Sequence, residues 1–146
     1  MSAPTIRVRA AMMAALKASD AVTAIIPKAS NYPGTVPATK TFPFSRFGTL
    51  IVSPFVASGL RSAAYRVSVQ GFSQDITDGA GTVVVSAEDT AINIGDAFQT
   101  ALDGATISLG NGDTLRLEWI QSVPQRDPTE ASAWMVTTTF NGEVSG

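Results

Sequence analysis

Residues 86–122 read SAEDTAINIGDAFQTALDGATISLGNGDTLRLEWIQS, and within this stretch the apolar period changes from that of a helix to that of a strand. Ser86 is a good N-cap, with Asp89 following as the acid of a capping-box-like start. Ala91, Ile94, Phe98, Ala101 and Leu102 then form one apolar stripe, and Asp89, Asn93, Asp96, Thr100 and Asp103 form the opposite polar face. Gly104 supplies a stop. Thr106 to Leu109 and Leu115 to Ser122 follow as strands, with Leu117 and Trp119 alternating against Arg116 and Glu118 across an Asn111-Gly112 hairpin turn. A capped amphipathic helix running into a hairpin predicts a sheet with a helix laid on one face.

Working outward toward the N-terminus, Tyr65 to Phe72 is the clearest strand, because Tyr65, Val67 and Val69 alternate with Arg66, Ser68 and Gln70. One face is expected to be buried and the other wet. Between this strand and the helix, Asp75 to Thr82 is polar and glycine-rich and reads as a flexible link. Phe44 to Val52 is rich in aromatic and β-branched residues and reads as another strand, and Phe55 to Ala63 as a turn or projecting hairpin tip. Residues 27 to 43 hold Pro27, Pro33, Pro37 and Pro43 with Asn31 and Gly34, which predicts a long irregular connection. Ahead of it, Ile6, Ala10, Met13 and Leu16 fall on one face of a helix that starts at Pro4, and Ser19-Asp20 offers a cap for a short second helix ended by Pro27. Met12 and Met13 read as gap-filling core in preference to a sticky surface.

Toward the C-terminus, Pro124 to Pro128 reads as a charged connection, with Arg126-Asp127-Pro128 as either a locally stabilised turn or a contact with a neighbouring subunit. Ala133 to Phe140 reads as a last strand with Trp134, Val136 and Phe140 on one face and Thr137 and Thr139 on the other. The order helix, two strands, helix, three strands gives the fold class: α+β, with a mostly antiparallel or mixed sheet of about five strands and two main helices packed on one side. One domain is expected over residues 1–146, with no internal repeat.

The composition narrows the function. Charged residues make up only 15% of the 146, against about 25% in an ordinary soluble domain, while hydrophobic residues reach 45%. The mean hydropathy is +0.18, so apolar surface is left over. Such surface marks association with copies or a stable protein partner, the alternative being an alanine-rich monomer. The net charge of −2 hides an asymmetry, since residues 1–66 hold eight Lys or Arg against Asp20 alone, and residues 67–146 hold Arg116 and Arg126 against eleven acids. On separate faces those halves would set the register of stacked or ringed copies; interleaved, they would cancel. The basic residues are scattered singly, which argues against direct nucleic-acid binding. No apolar run approaches the roughly 18 residues needed to span a bilayer, so no membrane role is expected.

Chemistry is hard to place on this chain. With no histidine and no cysteine there is no imidazole base, no thiol nucleophile and no thiolate zinc site. Counting from Asp75 as a calcium loop puts Ala80 and Ser86 where glycine and glutamate are needed, so that match fails. Gly79-Ala80-Gly81-Thr82 lacks the lysine of a phosphate loop. Glu88 and Asp89 suit a helix's first turn, and Lys17, Lys28 and Lys40 read as solvated surface. The expectation is a structural part that is not an enzyme and has no catalytic, cofactor or metal site.

The order of features resembles one family. The alanine-rich N-terminal helix with its Ser19-Asp20 continuation, the proline-rich loop before Phe42-Pro43-Phe44, the strand Tyr65-Arg66-Val67-Ser68-Val69-Gln70-Gly71-Phe72-Ser73, the helix end Ala97-Phe98-Gln99-Thr100-Ala101-Leu102 and the Arg126-Asp127 turn before a threonine-rich strand resemble the tail-completion, or tail terminator, proteins of long-tailed bacteriophages and phage-like particles. The resemblance implies a homo-oligomeric ring, typically a hexamer, that sits on the last tail-tube ring, stops tube growth and meets the head-tail connector protein. It implies a place in the virion tail or neck, with assembly in the bacterial host cytoplasm. The Pro27 to Pro43 and Asp75 to Thr82 loops then become candidates for neighbour or tube contacts. The candidate partner or subunit contacts are Tyr32, Lys40, Arg61, Asp75, Asp78, Arg126 and Asp127. The rival readings are another neck component, a tail-tube subunit, or a small-ligand module with Trp119 and Trp134 lining a pocket, although the tryptophans read more simply as buried core.

Overall fold

The alanine-rich start forms helix α1, Pro4–Ala18, in the computed structural model, which describes residues 4–54, 62–110, 112–130 and 132–145. Its buried face is Val8, Met12, Met13 and Leu16, whereas Ile6 is 52% exposed and Ala10 is also exposed. The expected stripe of Ile6, Ala10, Met13 and Leu16 is therefore corrected by part of a turn. Alanines all round the helix leave little contrast between its faces, so the sheet beneath decides which side is covered. Both methionines are core, as read. Ser19 Oγ accepts from the Val22 N–H at 3.4 Å and starts helix α2, Asp20–Thr23, which buries Val22 before the chain reaches Pro27.

The proline-rich segment is less irregular than expected. After one 3₁₀ turn, Lys28–Ser30, residues Asn31–Tyr32 form strand β1, parallel to strand β2, Phe44–Pro54. The buried Asn31 side chain explains this, because its Nδ2 donates to the Pro27 and Lys28 carbonyls and its Oδ1 accepts from Ser45 Oγ at 2.6 Å. Strand β3, Ser62–Gln74, pairs antiparallel with β2. The projecting tip expected at Phe55 to Ala63 lies, up to residue 61, outside the described residues.

The expected flexible link after β3 is corrected as well. Ile76–Thr77 (β4) and Val83–Val85 (β5) pair as a separate two-stranded sheet. Asp78 Oδ1 accepts from the N–H groups of Ala80 and Thr82 and holds its turn. Helix α3, Ala87–Leu102, begins as the sequence dictates, with Ser86 Oγ accepting from the Asp89 N–H. It buries Ala91, Ile94, Phe98 and Leu102 and leaves Asp89, Asn93, Asp96, Thr100 and Asp103 exposed. Gly104, at φ 73°, turns the chain into β6, Thr106–Gly110. Strands β7, Asp113–Arg126, and β8, Ala133–Ser145, both run longer than expected. Their extra length comes from pairing with each other and, for β8, with β3 along its whole span.

The main sheet has six strands in the order β1-β2-β3-β8-β7-β6, antiparallel except for β1 with β2. Helix α3 lies across β3, β8 and β7, and α1 lies beside β6 and α3. Two glycines allow the close approach of α3. A Cβ on Gly71 would run into Ile94 Cγ2, and one on Gly95 would sit 3.0 Å from Val136 Cγ2. The dry layer between helices and sheet holds Phe98, Phe140, Leu115 and Leu117, all fully buried; each such side chain adds about 1.5–3 kcal/mol of transfer free energy. A smaller cluster of Phe44, Phe72 and Met135 lies on the other face of the sheet, covered by Tyr32, Val36 and Phe42 of the proline-rich segment.

The tryptophans need correction. Trp119 is 37% exposed, at a register shift between Trp119 and Gln121 that breaks the strand's alternation. Its Nε1 donates to Ser122 Oγ and its backbone N–H to Asp103 Oδ1. Trp134 is half-buried against the main core.

Candidate functional site

Strand order separates the two charge halves within the sheet, while α1 and α2 carry the first half over to β6 and α3 of the second. The basic first half supplies β1, β2 and most of the start of β3, on one side of the sheet; the acidic second half supplies β8, β7, β6 and the outer face of α3. They meet at the β3–β8 pairing and where α1, which carries Arg7, Arg9 and Lys17, lies beside β6 and α3; there Arg7 Nη2 donates to Asp113 Oδ2 at 2.8 Å and Nη1 donates to the Leu109 and Gly110 carbonyls. The sequence carried no signal for that pair, because its members are far apart in the chain.

Several of the expected contact residues gather at the end of the sheet roofed by the proline-rich segment. Tyr32 is half-buried, its ring tilted on Phe44 at 6.2 Å between centroids. Phe44 in turn stacks on Phe72 at 4.7 Å. Lys40 Nζ stands 6.0 Å from the Phe42 ring and 5.9 Å from Phe44, close enough for a cation–π attraction of about 0.5–1 kcal/mol. Arg46 lies over Phe72 at 5.3 Å and donates from Nε to Gln70 Oε1. Lys40, Arg46, Phe72, Asp127 and Met135 line one open groove of about 480 Å³. A second groove of about 830 Å³ begins on the other side of Lys40 and is lined by Phe42, Asp75, Ile76, Asn93 and Glu130.

The acids in this set are largely occupied by their own backbone. Asp75 Oδ1 accepts from the Ala87 N–H at 2.7 Å at the start of α3, and Asp78 holds the β4–β5 turn. Asp127 Oδ1 accepts from both the N–H and the Oγ1 of Thr129, and Arg126 lies over Trp134 at 5.6 Å. Of the two readings of Arg126-Asp127-Pro128, the local turn is what these bonds describe. Arg61 lies outside the described residues.

Among the described residues no group of three or more carboxylates, histidines or cysteines could hold a metal ion, and no helix is long and apolar enough to cross a membrane. Burial pushes the Tyr65 phenol up from its ordinary range, and the nearby Arg7 guanidinium offsets part of that.

The surface features that sequence reasoning missed are apolar. Val83, Val84 and Val85 are 48%, 59% and 39% exposed, and Ile76 beside them 53%. Ile51 and Val52, at the far end of β2, are 53% and 45% exposed. The run of three valines was the available signal, hidden by its position after a glycine-rich stretch.

Comparison with known proteins fits this architecture. The family model for tail completion protein gp17 matches residues 10–140. Among solved structures, a chain from the virion of a native gene transfer agent (GTA) particle superposes with a TM-score of 0.75 over 99% of this chain and 100% of that one. At 20% sequence identity that likeness is one of fold. No curated protein sequence matches the chain.

Proposed function

This chain belongs to the tail completion protein gp17 family, and we propose that it forms a ring, a homo-hexamer, at the head-proximal end of a phage-like tail, where it ends tube growth and joins the tail to the head connector. It is a structural assembly part of a phage-like tail. The observation that carries the finer reading is the family match over residues 10–140, which takes in the later part of α1, all of α3 and nearly the whole sheet. Two features support it. Apolar side chains stand uncovered at separate places on the fold, the β4–β5 hairpin and the far end of β2 among them, and within the sheet the strands of the basic half, β1 and β2, lie at the opposite edge from β7 and β6 of the acidic half, which suits a subunit with two unlike neighbours.

In this reading residues 1–146 act as one domain, a ring part and not an enzyme, assembled in the host cytoplasm. Lys40 and Asp127 at the groove, with Tyr32, Arg126 and Arg61, meet the tube protein, the connector or a neighbouring subunit. Asp75 and Asp78 shape the contact loop through the backbone bonds that they accept.

The test is native mass by light scattering together with negative-stain images, for the protein alone and after purified tail tubes are added. Discrete rings of one size, or density capping one end of each tube, are expected. Long tubes made by the protein alone would assign it to the tube instead. A monomer that ignores tubes would remove the terminator role.

A further inference from the structure

We propose that copies of this protein join by strand addition, with β5 of one subunit pairing onto the open edge of β2 in the next. This names the contact surfaces of the ring reading and rests on self-assembly as proposed above.

The donor is the β4–β5 hairpin. A two-stranded sheet alone is at best marginally stable in water and needs a partner surface. Side chains of successive strand residues point to opposite faces, so the exposure of Val83, Val84 and Val85 together means that both faces of β5 are uncovered. Ile76 on β4 enlarges the same patch. A strand of three valines with a free edge is an association surface.

The acceptor is the outer edge of β2. Strand β1 covers that edge only at Ser45 and Arg46, and beyond Arg46 no strand among the described residues pairs with it. An open, apolar strand edge is a template for another strand. Here it is flanked by exposed Ile51 and Val52 and by Ile6 of α1, and Ile6, Arg9, Phe47 and Leu50 line a groove of about 190 Å³ beside it.

Two arguments identify the occupant as a second copy of this chain. The first is distance. Arg66 is the register partner of Ile51, and from Arg66 along β3 to Ile76 the extended chain runs on the order of 30 Å at roughly 3.3 Å per residue. Donor and acceptor therefore lie at opposite ends of one subunit and meet only between subunits. Such a head-to-tail contact between unlike patches is what generates rings. The second is charge. Exposed Asp75, Asp78, Glu88 and Asp89 surround the donor, and exposed Arg9 and Arg66 flank the acceptor. Opposite potentials fix orientation and reject wrong pairings.

The test uses the full chain with Val84→Asp on the donor and Val52→Asp on the acceptor, both at exposed positions. Under conditions where the wild type assembles, alone or on tubes, each variant is expected to stay at the 15.2 kDa monomer mass. Mixed together they should give one-to-one pairs of twice that mass and nothing larger, because one intact donor meets one intact acceptor and both remaining surfaces are disabled. The charge exchange supplies a second arm that spares the hairpin. Arg9→Glu or Glu88→Arg alone should weaken assembly at least about tenfold, and the two together in one chain should restore it. If all variants assemble as the wild type does, strand addition is overturned while the ring reading stands. If the single variants stay monomeric but neither the mixture nor the charge exchange recovers association, strand addition is likewise overturned. A wild type that never self-associates, even on tubes, removes both.

Discussion

The two faces of the six-stranded sheet put the same alternating strands to different use. On the helix side Val67, Val69, Val136 and Phe140 are sealed beneath α3, and Thr138 is the one polar residue of β8 enclosed there, its Oγ1 sharing a hydrogen bond with Ser122 Oγ. On the other side Gln70, Thr137, Thr139 and Asn141 remain wholly or partly open, and only the end bearing Phe44, Phe72 and Met135 is roofed, by a loop instead of a helix. The open face is polar. Much of the apolar surplus announced by the composition is found at the margins, on the β4–β5 hairpin and along the free end of β2, with Ile92 on α3 and Trp119 and Val123 on β7 exposed besides; the two margins, and not the broad sheet face, are the association surfaces proposed above.

The contrast between the faces breaks most directly at Phe98. Replacing this fully buried ring, Phe98→Ala, is expected to lower the unfolding free energy by about 3–5 kcal/mol, read by chemical denaturation. A loss within the ~0.5 kcal/mol of an ordinary surface substitution would mean that α3 does not hold the sheet. Phe72→Ala probes the loop-roofed end, and its smaller cluster predicts a smaller loss of about 2–3 kcal/mol. A loss equal to that at Phe98 would make the proline-rich roof a second core in its own right. Arg7→Ala tests the tie between α1 and the β6–β7 hairpin. The pair with Asp113 is partly exposed, so a loss of about 1 kcal/mol is expected, and it should shrink near 1 M salt, where the Debye length is about 3 Å.

The smallest expected effect concerns the edge of the helix-side core and is one of pH. Tyr65 in the unfolded chain ionises near pH 10, while burial holds its proton to higher pH in the fold. Stability from this group is fully present below about pH 10 and is lost as pH rises through the raised folded value. Stability measured across that range should fall for the wild type and fall less steeply for Tyr65→Phe, which has no phenolic proton to lose. Equal slopes would place the ring in contact with water.

The sequence by itself determined α3 with its Ser86 cap, the β6–β7 hairpin at Gly112, the alternation of β3 and the order of the main elements, and hence the α+β class. These rest on short-range physics: a side chain bonding a backbone N–H a few residues away, a period of apolar positions, a positive φ at glycine. The family resemblance was legible for the same reason, since it lay in the order of such elements. Only the tertiary structure decided which face of α1 is buried, that Asn31 and Tyr32 join the sheet, that the glycine-rich link becomes β4–β5, that Trp119 stands at a break in β7, and that Asp75, Asp78 and Asp127 spend their carboxylates on their own turns. Each of these depends on a partner distant in sequence or on which surface remains once other elements have packed. A local pattern records neither, because the exposure of Val83–Val85 or Ile51 is set by what fails to cover them and not by the residues themselves.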